Sequence, residues 1–81
     1  MADSTIWYRM RLKEAQMWIG PYQTDREDFL KLWHHVKKDV KRCYVWRYND
    51  DEPPTVWAWD DTYFKGQWVE CLGDVSNIAK P

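Results

Sequence analysis

The stretch TDREDFLKLWHHVKKDVKR, residues 24–42, decides the fold. Thr24 is a good helix N-cap, and Glu27 stands three positions on, the spacing at which each side chain satisfies a free backbone N–H near the other. Asp25, Glu27 and Asp28 complement the positive start of a helix; Lys37, Lys38, Lys41 and Arg42 complement its negative end. Phe29, Leu32, Trp33, Val36 and Val40 recur at spacings of three and four, which gathers them into one apolar stripe. The pattern predicts a helix over residues 25–42 whose stripe packs on a sheet.

Outward from the helix, alternation and β-branched or aromatic content predict strands. Residues 5–13 read as the first and 16–19 as a shorter second, which stops at Gly20-Pro21. Residues 43–48 read as the third, ended by the acidic, proline-containing loop 49–54; residues 55–59 and 67–72 form a closing pair around 60–66. The order β-β-α-β-β-β predicts an α+β fold, an antiparallel sheet with one amphipathic helix packed on one face. Lys13-Glu14-Ala15 lacks the Gly or Asn that a tight turn between the first two strands prefers. The 81 residues suffice for one core, so residues 1–81 are read as a single domain, its core at about 5–72, with 73–81 a loosely ordered tail.

A core this small needs large side chains, and aromatics make up 17% of the chain, seven Trp among them. Lys and Arg nearly balance Asp and Glu, leaving a net charge of −1, which argues against a general nucleic-acid binder. The opening residues carry no basic stretch followed by an apolar run, and no segment is long enough to span a bilayer, so neither a secretory leader nor a membrane partner is expected. Cys43 and Cys71 have no C-x-x-C spacing and read as small buried thiols of a reducing compartment.

Neighbouring side chains on a strand point to opposite faces. One set collects Ile6, Tyr8, Met10, Leu12, Met17, Ile19, Cys43, Val45, Val56, Ala58, Val69 and Cys71, residues suited to lie under a helix. The other collects Trp7, Arg9, Arg11, Trp18, Tyr44, Trp46, Tyr48, Trp57, Trp59, Trp68 and Glu70, and so every Trp except Trp33. Six indoles on one open face would present on the order of 900 to 1,500 Å², against about 300 to 600 Å² for the largest apolar patch of a typical monomer. A second copy of the chain, a protein target or stacked bases would have to cover it. A strongly curved sheet, or a bulge that reverses a strand's facing, would instead turn the Trp-rich set into core.

No catalytic constellation emerges. Ser4 and Ser76 have no nucleophile-elbow context, and His34 and His35 are about 100° apart on a helix, so they cannot chelate one metal as an i, i+4 pair would. Asp50, Asp51 and Glu52, with Asp60 and Asp61, lack calcium-loop spacing and read as solvated loop acids, available to a basic partner. Lys31, Lys37, Lys38, Lys41 and Arg42 give the helix a basic side fit for phosphate or another anion, though helix-dipole complement accounts for it as well. No enzyme activity, cofactor or metal is expected.

Trp, Tyr and Arg are the residue types that dominate interface hot spots. Trp7, Arg9, Arg11, Trp46, Tyr48, Trp57, Trp59 and Trp68 are therefore the expected partner-binding residues. The length, the element order and the closing hairpin, Val56-Trp57-Ala58-Trp59-Asp60 with Gln67-Trp68-Val69-Glu70-Cys71, resemble some small phage-encoded anti-CRISPR proteins. The likeness covers the plan and about a quarter of the chain, and no diagnostic motif carries it. It implies an inhibitor that binds a host protein or nucleoprotein complex in the bacterial cytoplasm, and it implies no specific contact residue. The second reading, single-stranded nucleic-acid binding by base stacking, is opposed by the near-neutral charge. Homodimerisation through the aromatic face is compatible with either.

Overall fold

A computed structural model describes residues 5–15, 17–49 and 52–71. Five strands form one antiparallel sheet in the order β2-β1-β3-β4-β5, with β1 at Thr5–Leu12, β2 at Trp18–Asp25, β3 at Val40–Asn49, β4 at Glu52–Asp60 and β5 at Gln67–Cys71. Helix α1, Arg26–Val36, connects edge strand β2 to β3 and packs on one face of the sheet, the predicted α+β order. Asp50, Asp51 and the expected tail 73–81 lie outside the described residues, and the description of Tyr48 and Glu52 stops at their strand backbones.

The helix differs from its prediction at both ends. Asp25, not Thr24, is the N-cap: its backbone is extended and its Oδ1 accepts the Asp28 N–H at 2.8 Å. Thr24 stays in β2, opposite Ile6. At the other end the helix stops at Val36, and a single 3-10 turn, Lys37–Asp39, leads into β3. Val40, Lys41 and Arg42 are therefore strand residues. Val40 satisfies its burial from β3 instead, paired with Leu12 and fully enclosed, a position that suits a β-branched side chain.

Gly20-Pro21 does not end the second strand. The chain runs through this cis peptide in β2, and the pairing with β1 shifts by one residue between Tyr8 and Met10. Gly20 sits at φ +98°, where a Cβ would lie 2.8 Å from the Tyr8 carbonyl oxygen. Pro21 is tolerated because β2 is an edge strand.

A second irregularity overturns the expected partition of tryptophans. Had the register of Asn49 and Glu52 continued along β3 and β4, Val45 would oppose Val56 and Tyr44 would oppose Trp57. A bulge between Arg47 and Asn49 shifts it, so that Val45 opposes Trp57, Trp46 opposes Val56 and Cys43 opposes Trp59. Cross-strand partners share a face, so one extra residue reverses the facing of β4. β5 follows, because Trp59 pairs with Trp68. The six indoles therefore do not share the open face: Trp7, Trp18 and Trp46 stay there, while Trp57, Trp59 and Trp68 lie on the helix side, and Val56, Ala58, Val69 and Cys71 take the open side in their place.

The main core joins Ile6 and Met10 of β1, Phe29 and Trp33 of α1, Val40 and Cys43 of β3, and Trp59 of β4. Trp33 meets Trp59 edge-on at 4.9 Å and Trp68 at 5.0 Å, while Phe29 contacts Tyr8 at 5.3 Å. Each such pair contributes about 0.5 to 1.5 kcal/mol beyond the area it buries. On the opposite face a smaller cluster holds Trp46 and Val56, with Trp7, Tyr44 and Cys71 packed against them. The two cysteines are free and face opposite sides of the sheet. Cys43 is buried as expected, Cys71 half-buried, and burial pushes both thiols up.

Candidate binding surfaces

The open face of β1 and β3 carries Trp7, Arg9 and Arg11 beside Arg42, Tyr44 and Trp46, the register setting Trp7 against Trp46, Arg9 against Tyr44 and Arg11 against Arg42. Trp18 and Tyr44 stand on strands two apart, yet their rings stack at 5.5 Å and 17°, so both lean over β1 between them. The Arg9 guanidinium lies 4.7 Å from the Trp18 ring centre, a cation–π contact. Neither β1 nor β3 contains a carboxylate. Trp46 is only 1% exposed, and Trp7, Arg9, Arg11 and Trp18 are all half-buried, so the face offers ring edges and the outer parts of its arginines rather than flat indole surfaces. Arg9 Nε and Trp46 Nε1 are buried donors without an acceptor among the described residues.

Asp60 closes one end of this row from β4. It is a buried residue, and its Oδ2 accepts the Arg42 Nε–H at 2.8 Å while Oδ1 accepts the backbone N–H groups of Thr62 and Tyr63 at 2.7 Å each. Burial by itself raises this carboxyl, but the Tyr63 and Thr62 N–H groups and the Arg42 guanidinium outweigh it and hold it below the usual carboxylate range. Asp60 thus fastens the β4–β5 turn and is withdrawn from the expected contacts to a basic partner. Asp61, more exposed, faces Lys13 at 3.6 Å.

On the helix side two depressions flank Trp68. The larger, about 510 Å³, opens between α1 and strands β3 to β5. Its inner wall is Phe29, Val45 and Trp68; Leu30 and Trp57, 43% and 44% exposed, line it as well, and Arg26, Arg47 and Thr55 are its polar residues. The second, about 450 Å³, brings Lys37 and Lys38 together with Lys13 and Asp61, with Trp33, Trp59 and Trp68 also lining it. Of the expected basic set, Lys31 lies elsewhere on α1, Lys41 bonds the Thr62 hydroxyl, and Arg42 serves Asp60.

The expected hot spots therefore separate. Trp7, Arg9, Arg11 and Trp46 share the open face, Trp57 lies on the other side, Trp59 is core and Trp68 is half-buried against it. Trp18 and Tyr44 join the first group through their stacking, and Arg26, Leu30, Arg47 and Thr55 were not singled out by the sequence. Leu30 gave the one available signal, an apolar residue beside the helix stripe. His34 and His35 are exposed on α1, and among the described residues no group of three or more His, Cys, Asp or Glu side chains is placed to hold a metal ion. No described helix is long and apolar enough to cross a membrane.

No protein-family model, curated protein or solved structure matches the chain.

Proposed function

We propose that this is a non-enzymatic binding protein that docks the open face of β1 and β3 onto an acidic surface of a larger protein or nucleoprotein complex, an inhibitor of the kind the anti-CRISPR resemblance implies. The observation that carries the reading is the ladder of Trp18, Arg9 and Tyr44 across β2, β1 and β3, the last two strands free of carboxylates, with Arg11 beside it. Arginines held by stacking lose little freedom on binding and present a planar fork to carboxylates. Three observations favour a protein over stacked bases: Trp18 is already engaged by Arg9 and Tyr44, Trp46 is enclosed, and Trp57, Trp59 and Trp68 lie on the other side. A base needs a free ring face.

Capture from a bacterial lysate on immobilised protein, with an Arg9→Glu/Arg11→Glu variant alongside, tests this. Wild type should retain a defined complex that the variant loses, since reversing a central charge typically costs a hot spot about 2 kcal/mol or more. Equal retention by a folded variant removes this face from the interface. A salt-dependent mobility shift of oligonucleotides, with no retained protein, would replace the proposal with nucleic-acid binding.

A further inference from the structure

The groove on the helix side is polarised along its length, and the register shows how. Thr5 pairs with Asp25, so Arg26 starts the helix over the end of β1 where Ile6 stands. Trp7 pairs with Trp46, which sets Ile6 beside Arg47, and Arg47 pairs with Thr55. Both arginines and the threonine therefore collect at the end of the sheet that carries the β3–β4 connection. Inward, the next row is Val45 with Trp57, followed by Cys43 with Trp59 and Trp68, all apolar; the exposed Glu70, beside Trp57 on β5, ends the first of these rows outside the groove's lining. The side chains of Arg26 and Arg47 make no ion pair or hydrogen bond among the described residues.

We infer that this groove is a binding site for a single-headed amphiphilic anion, an aliphatic carboxylate of medium chain length. Its volume, about 510 Å³, lies within the range of about 300 to 1,000 Å³ common to small-molecule sites. The carboxylate meets the guanidinium groups of Arg26 and Arg47 and the Thr55 hydroxyl, while the chain lies along Leu30 and Trp57 toward Trp68. This removes two large apolar side chains from water and gives both cations a counter-charge. The site is on the opposite side of the sheet from the proposed docking face and does not depend on it.

Titration of the whole protein with monomeric dodecanoate, followed by backbone and side-chain amide NMR shifts and by calorimetry, tests the inference. Dodecanol serves as the neutral-headed control. Saturable one-to-one binding is expected, with shifts centred on Arg26, Leu30, Arg47, Thr55 and the Trp57 and Trp68 indoles. Arg26→Gln/Arg47→Gln should weaken dodecanoate at least about tenfold and leave dodecanol unchanged, as loss of charge-assisted hydrogen bonds requires. Both arginines are exposed, so the variant keeps its fold. Leu30→Asp, at a second exposed position, should weaken both ligands. The inference is overturned by absence of saturation, by shifts centred on Lys37 and Lys38, by equal affinity for acid and alcohol, or by binding only to anionic vesicles.

Discussion

Replacing Asp60 by Ala removes the acceptor of three hydrogen bonds at once, from Arg42 Nε and from the Thr62 and Tyr63 N–H groups. Hydrogen bonds to a charged group contribute about 1.5 to 3 kcal/mol each before overlap. The Arg42 side chain is 37% exposed and regains water, which discounts its share. The expected loss is about 2 to 4 kcal/mol, a large part of the stability of a domain this size. In urea, at a slope of about 1 kcal/mol per molar, the midpoint should fall by about 2 M or more. Asp60→Asn keeps the Oδ1 acceptor and should lose roughly half as much. Acid adds an independent check. The folded carboxyl sits below its unfolded value, so its contribution is complete above the unfolded pKa and disappears as pH falls through the folded one. Wild type and Asp60→Asn should converge in stability on acidification. An Ala variant within about 0.5 kcal/mol of wild type, or a gap to Asn that is constant with pH, refutes the reasoning.

Three further outcomes follow from the packing. Gly20→Ala should cost about 2 kcal/mol or more in denaturant, because the added carbon meets the Tyr8 carbonyl at a positive φ; a neutral result would contradict the bulge. Trp59→Ala should cost about 3 to 5 kcal/mol and half-exposed Trp57→Ala far less, so an equal loss in thermal melts would reject the facing of β4. A thiol reagent at neutral pH should modify Cys71 before Cys43, and Cys43 only as fast as the protein unfolds; rapid double labelling would contradict their burial.

The helix, the element order and the facing of β1 and β3 were legible because they rest on local signals: the stripe Phe29, Leu32, Trp33 and Val36, and the alternation from Ile6 to Leu12. Thr24 and Asp25 compete for one cap, both are paired in β2, and only the Asp28 N–H donated to Asp25 Oδ1 resolves which of them caps the helix. Val40 fits the helical spacing and a strand equally, so the end of α1 was set by the sheet. The facing of β4 and β5 was illegible for a stronger reason. It hangs on one extra residue of β4 between Glu52 and Thr55, opposite Tyr48, and grouping residues by chemistry placed Val56 with Val45 when the register places Trp57 there. The groove was invisible for the same cause, since its polar end exists only once Arg47 and Thr55 share a row.

The sheet's two borders also constrain how copies of the chain can associate. Along β2, Pro21 has no N–H to donate and the Gly20 irregularity breaks the ladder; β5 is five residues long and carries Glu70. An incoming strand at the β2 border meets a broken ladder, and at the β5 border a short row beside a carboxylate. Lateral extension into a larger sheet, the usual route to fibrils, is thereby opposed along β2.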